Sequence, residues 1–187
     1  ITLPSTLKTL GTNVFNGCTG LTSITLPASL TSVGNSTFVN TGITEVTFAE
    51  GTTAIAGNVC AGITGLTKVT IPNTVTSIGT YAFQNCTSLA EIDLNEGLTS
   101  IGNYAFNKCT ALTSVELPST LKTLGTNVFN GCTGLTSITL PASLTSIGSS
   151  TFVNTGITEV TFAEGTTAIA NNACSGLTGL TKVTIPN

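Results

Sequence analysis

The sequence predicts an α/β solenoid: a stack of 23-residue rungs with a parallel strand face and short helical turns on the opposite side. Three observations carry the prediction. Units begin at Ile1, Ile24, Val46, Val69, Ile92, Val115, Ile138 and Val160, with a five-residue stub from Val183; the second and seventh are 22 residues long and the others 23. All six prolines (Pro4, Pro27, Pro72, Pro118, Pro141, Pro186) stand at the fourth position of a unit. The fifteenth position holds Phe15, Phe38, Phe83, Phe106, Phe129 and Phe152 in six units and Cys60 and Cys174 in the other two. An irregular globule has no reason to space residues this way, whereas a solenoid meets the same corner once per rung.

Each element of a rung has its own justification. In Thr22-Ser23-Ile24-Thr25-Leu26-Pro27, apolar residues alternate with hydroxyls, the pattern of a half-buried strand. Pro27 lacks an N–H and ends the ladder there. Leu30-Thr31-Ser32-Val33-Gly34 reads as a second short extended piece closed by a bend at Gly34. A stretch such as 103–109 carries no proline and spaces Phe106 and Cys109 three apart, which predicts one α- or 3₁₀-helical turn with an inward face. Eight rungs at strand spacing extend about 40 Å on the strand side.

Residues 1–187 are read as one solenoid of eight units plus a partial ninth. Residues 1–73 return as 115–187 with 65 of 73 positions identical, so a 114-residue super-repeat of five units lies over the shorter period. Neither end carries a recognisable cap, and the array is expected to be part of a longer one.

Composition excludes several functions. The chain has no His, Arg, Met or Trp, and its five Lys stand against eight acids for a net charge of −3. Without an imidazole or a paired nucleophile, no catalytic residues, cofactor or metal site are assigned, and the chain is read as a non-enzyme. Five scattered lysines build no phosphate-tracking stripe, so no nucleic-acid partner is expected. No apolar run approaches the roughly 18 residues of a membrane span. Forty threonines supply the polar surface that charge supplies elsewhere.

Six cysteines match a disulfide framework by number but not by place. Cys18, Cys86, Cys109 and Cys132 share position 18, and Cys60 and Cys174 share position 15; both columns point inward. They are read as small buried hydrophobes. One adjacent-rung bridge such as Cys86–Cys109 stays open, although parallel Cβ vectors suit a disulfide poorly.

If position 1 points inward, its two neighbours point out. That puts Thr25, Glu45, Thr47, Lys68, Thr70, Glu91, Asp93, Glu116, Thr139, Glu159, Thr161 and Lys182 on one exposed strand face, the candidate ligand-binding surface. Lys68 is expected between Glu45 and Glu91 on neighbouring rungs. Glu91, Asp93 and Glu116, with Glu96 beyond the corner, form one acidic cluster, read as a solvated patch rather than a calcium site because no glycine-bearing loop surrounds it. A parallel column of Thr22, Thr44, Thr67, Thr113, Thr136, Thr158 and Thr181 leaves an ice-binding array as a remote alternative.

Leu21-x-x-Ile24-x-Leu26-Pro27-x-x-Leu30-Thr31-x-Val33-Gly34 resembles the leucine-rich repeat of the BspA-like, treponemal class. The fullest match runs from Leu89-x-x-Ile92-x-Leu94 to Ala105-Phe106-x-x-Cys109, and the resemblance extends along the whole chain. Position 6 holds Thr, Ser or Gly, so the corner after the strand carries no asparagine ladder. The resemblance implies a leucine-rich repeat solenoid in a microbial surface or secreted adhesin. Its implied partners are extracellular-matrix or host and neighbour-cell proteins, such as fibronectin and fibrinogen. A structural or self-assembling segment that stacks end to end is the alternative.

Overall fold

The computed structural model describes residues 1–186, which stack as eight successive rungs and the opening strand of a ninth around one continuous hydrophobic core. Rung 1 spans 1–23, rung 2 spans 24–45, rung 3 spans 46–68, rung 4 spans 69–91, rung 5 spans 92–114, rung 6 spans 115–137, rung 7 spans 138–159 and rung 8 spans 160–182. Three hydrogen-bonded ladders run along the stack. They break at different places.

The front ladder is the expected strand face. Ser23–Leu26, Glu45–Phe48 and Lys68–Thr70 pair in parallel, as do Ser137–Leu140, Glu159–Phe162 and Lys182–Thr184. In both sets like residues face like: Ile24 pairs with Val46 and Val46 with Val69, and Ile24, Val46, Ile138 and Val160 are buried. The strands that should open rungs 5 and 6, around Ile92 and Val115, are unpaired. Asp93 and Glu116 occupy neighbouring rungs there, and like charges facing one another across a ladder oppose its closure.

A second ladder of two-residue strands follows the proline corner. Thr9–Leu10 pairs with Ser32–Val33, and Ala54–Ile55, Ser77–Ile78, Ser100–Ile101, Thr123–Leu124 and Ser146–Ile147 form a five-stranded parallel sheet. No pairing joins Ser32–Val33 to Ala54–Ile55. The glycine that follows the strand in rungs 2 and 4–7 is a close-approach residue. A Cβ on Gly102 would stand 2.8 Å from the Thr80 nitrogen and 3.0 Å from the Ile78 oxygen of the preceding rung. Alanine replaces it only at Ala56 and Ala170, in rungs 3 and 8, which lack this pairing to the rung before.

The third ladder corrects the predicted helical turns. Among the described residues there is no helix; the stretch is a series of single turns. Its amides alternate in direction: Ala105, Asn107 and Cys109 donate three residues back to Gly102, Tyr104 and Phe106, while Tyr104, Phe106 and Lys108 donate to Thr126, Val128 and Asn130 of the next rung. A helix would turn every amide back along its own chain, but here every second one links rungs. The alternation needs left-handed residues, and two columns supply them. Asn13, Ser36, Asn58, Tyr81, Tyr104, Asn127, Ser150 and Asn172 all have φ between 57° and 64°, and four positions later come Gly17, Asn40, Gly62, Asn85, Lys108, Gly131, Asn154 and Gly176. Asn and Gly accept this geometry readily; Tyr and Lys do so at greater cost.

Between the ladders lies an aromatic spine. Phe83, Phe106, Phe129 and Phe152 stack with centroids 5.3, 5.6 and 6.0 Å apart, and Phe15 stacks on Phe38 at 5.5 Å. Cys60 interrupts the spine, and Phe48, the large residue at position 3 of the same rung, meets Phe83 edge-on. Rungs 3 and 8 thus exchange the sizes of positions 3 and 15 (Phe48 with Cys60, Phe162 with Cys174), which conserves core volume.

Threonine takes the role an asparagine ladder would have. The hydroxyls of Thr31, Thr76, Thr99 and Thr145 donate to the carbonyls of Lys8, Thr53, Thr76 and Lys122 on the preceding rung at 3.0–3.2 Å.

Candidate binding face

The strand face carries the candidate residues outward, as alternation demands. Ten of them are exposed, and Thr47 and Thr161 are half-buried. The register brings Thr25, Thr47 and Thr70 into one row and Thr139 and Thr161 into another. Lys68 Nζ lies 3.9 Å from Glu45 Oε1, and Lys182 Nζ lies 3.1 Å from Glu159 Oε2. Pairs this exposed contribute at most about 1 kcal/mol and mainly hold register. The expected bridge from Lys68 onward to Glu91 is not formed, because the front ladder ends at Lys68–Thr70.

Where that ladder stops, the face opens into a cleft of about 360 Å³, lined among others by Lys68, Glu91, Asp93, Ser114 and Glu116. The three carboxylates all line it, and among the described residues none of them forms an ion pair. Among the described residues no group of three or more His, Cys, Asp or Glu side chains is arranged to hold a metal ion. Glu96 separates from the cluster: its Oε2 accepts from the Ser119 amide at 3.0 Å and the Ser119 hydroxyl at 2.7 Å, tying rung 5 to rung 6. Because the front strands of rungs 5 and 6 are unpaired, the cleft pairs negative charge with backbone groups that no ladder uses. Sequence reasoning found the charges but not the opening.

The threonine column beside this face is turned onto the stack. Thr44, Thr67, Thr113, Thr158 and Thr181 each donate to a carbonyl of the preceding rung at 3.1–3.5 Å. These hydroxyls hold the rungs together instead of presenting a free array.

All six cysteines are free thiols, and their columns divide by depth. Cys60, Cys86, Cys109 and Cys132 are buried, whereas Cys174 is half-buried and Cys18, expected to point inward, is exposed. The difference follows position in the stack: Cys18 lies in rung 1, whereas Cys60, Cys86, Cys109 and Cys132 lie between described rungs. Cys86, Cys109 and Cys132 donate to the carbonyls of Cys60, Phe83 and Phe106 at 3.1–3.2 Å, each reaching back one rung. Burial pushes the Cys132 thiol up to about 12 and holds Cys60, Cys86 and Cys109 well above the ordinary thiol range; neighbouring thiols add to this for Cys86 and Cys109. Such groups are neutral donors rather than nucleophiles.

Comparison with known proteins agrees with this geometry. A family model described as the BspA type leucine rich repeat region matches six copies across residues 1–79 and 53–181. A leucine-rich repeat protein from Bacteroides ovatus is 27% identical with a TM-score of 0.74, covering 99% of this chain and 54% of its own. The chain thus spans about half the length of that relative. The leucine-rich repeat protein of T. pallidum is 26% identical with a TM-score of 0.65, covering 94% of this chain and 73% of its own. The pneumococcal vaccine antigen PcpA is 19% identical with a TM-score of 0.53, covering 97% of this chain and 55% of its own, a likeness of fold alone. No curated protein sequence matches. Among the described residues no helix is long and apolar enough to cross a membrane.

Proposed function

This chain belongs to the BspA-type leucine-rich repeat family, and on that premise we propose that it is a non-catalytic protein-interaction module whose strand face binds an extracellular protein ligand. The observation that carries the reading is the acidic cleft between two ion-paired sheets, lined by Glu91, Asp93 and Glu116 at the break in the front ladder. An extended, basic segment of a partner suits it twice over. Its backbone meets strands left unpaired in rungs 5 and 6, as in strand addition, and its cations meet the carboxylates. The flanking threonine rows offer uncharged surface on which such a segment can continue. In this reading the module is secreted or displayed at the surface of a microbial cell as part of an adhesin.

The test uses immobilised fibronectin and fibrinogen, the partner class implied by the family resemblance. Binding of the 187-residue chain is measured by surface plasmon resonance at rising salt. The triple variant Glu91→Gln, Asp93→Asn, Glu116→Gln is expected to weaken binding at least about tenfold and to flatten its salt dependence. Binding unchanged by the triple variant, or no binding to either protein, counts against the strand face and this ligand class.

A further inference from the structure

We propose that the wedge between rungs 2 and 3 on the turn side, opposite the strand face, is a binding site for a neutral saccharide, with Tyr81 as its stacking platform. The wedge arises because two ladders break together. Within rungs 3–7, and again between rungs 1 and 2, the left-handed stretch of each rung donates to the carbonyls of the next; Asn58, Cys60 and Gly62, for example, donate to Thr80, Ala82 and Gln84. Among the described residues Ser36, Phe38 and Asn40 of rung 2 make no such bonds to rung 3, and the second ladder is also interrupted there. Backbone donors of rung 2 therefore face backbone acceptors of rung 3 unsatisfied by each other. A cleft of about 370 Å³ opens beside them, within the size range of small-molecule sites.

The cleft is neutral and rich in amides. Its lining includes Asn35, Asn58, Gln84, Asn85, Val39 and Tyr81, with no charged side chain. Among the described residues Asn35, Asn58 and Asn85 make no side-chain hydrogen bond, and Gln84 spends only an N–H, on Asn107 at 3.2 Å. Side-chain amides offer paired donors and acceptors at a spacing that suits adjacent hydroxyls.

Tyr81 supplies the flat wall. Its ring stacks on Tyr104 of the next rung with centroids 5.0 Å apart and planes inclined by 22°. In rung 3 the same position is Asn58, so the stack ends and the other face of Tyr81 turns to the cleft. A pyranose ring would extend the stack by one member, its C–H face on the tyrosine and its hydroxyls among the amides. The absence of charge in the lining selects a neutral sugar over a phosphorylated or uronic one. The near-identical copy at rungs 7 and 8 has the same broken ladders and Asn172 at the matching position, but no tyrosine rung beyond it among the described residues. The site is therefore assigned to rungs 2–4.

The chain has two tyrosines and no tryptophan, so its intrinsic emission reports on Tyr81 and Tyr104 alone. The whole chain is titrated with triacetylchitotriose, maltotriose and mannotriose, and with a proline-rich peptide that also stacks on aromatics. A saturable emission change with at least one trisaccharide near about 1 mM is expected. By calorimetry Tyr81→Ala should weaken binding at least about tenfold, and Asn58→Tyr, which fills the wedge with one more ring, should do the same. Tyr81→Phe keeps the platform and should bind within about threefold of the parent. Far-ultraviolet circular dichroism and the melting temperature establish that each variant keeps the fold. The proposal is overturned by the absence of a saturable response to all three trisaccharides up to about 50 mM. It is equally overturned by sugar binding that survives both Tyr81→Ala and Asn58→Tyr, or by saturable binding of the peptide alone.

Discussion

Residues 1–73 and 115–187 are nearly the same sequence in two places, and they do not have the same burial. Val14 is 47% exposed while its copy Val128 is fully buried; Phe15 is half-buried while Phe129 is buried on both ring faces. At the other end the relation reverses: Ile55 is 2% exposed and its copy Ile169 48%. Identical units bury different side chains because a rung does not enclose its own core. Position 15 is covered by the rungs on either side, so the number of neighbours decides burial and the unit's own residues do not. Stability in such an array is a sum over interfaces between rungs.

That contrast sets the predictions. The largest effect is in the spine. Phe129→Ala leaves a cavity between two stacked rings and should cost about 3–5 kcal/mol, whereas Phe15→Ala, at a half-buried ring with one partner, should cost about 1–2 kcal/mol. Urea denaturation of both variants checks this, and equal costs would show that burial is local to the unit after all.

Next come the thiols. Cys60, Cys86, Cys109 and Cys132 hold their protons more tightly folded than unfolded, because burial disfavours the thiolate. Their stabilising contribution is therefore complete below the unfolded-state value near 9 and falls as pH rises above it; for Cys132 the loss runs toward 12. In that window Cys132 adds a downward slope of about 1.4 kcal/mol per pH unit. Replacing Cys132 with Ala should flatten the fall of unfolding free energy with pH. Thiol labelling at pH 8 sharpens the same comparison, with Cys18 modified before Cys132.

The smallest effect is on the strand face. Glu159→Gln and Glu45→Gln remove copies of one ion pair that differ in length, 3.1 against 3.9 Å. Both should change stability by less than about 1 kcal/mol, the first more than the second, and both differences should vanish in high salt.

Much of the fold could be read directly. Alternation around Ile24 and the proline column located the front strands and their corner, because a strand next to its own copies has only one register that buries every first position. The turn side was harder. A spacing of three between Phe106 and Cys109 fits a helical turn, but it also fits alternating left- and right-handed residues. Asn or Gly at position 17 in seven of eight rungs was the available sign of positive φ. The ladder breaks were also marked, by the 22-residue lengths of rungs 2 and 7, by Ala56 and Ala170 where other rungs have glycine, and by the Phe48 and Cys60 exchange. None of these marks says which side of the stack opens, since that depends on how neighbouring rungs lean on one another. The exposed charges of the candidate face were legible because alternation fixes their side. The cleft was not, because it exists only where pairing fails.

One consequence concerns mechanics. Between rungs 2 and 3, and between rungs 7 and 8, the second ladder and the turn ladder are both missing, while every joint from rung 3 to rung 7 keeps both. Residues 46–159, the segment between the two weak joints, are 114 in number, the same as the duplicated block. A chain pulled from its ends should part first at those joints and leave the segment between them folded. The period copied in the sequence would then also be the spacing of the joints that yield under load.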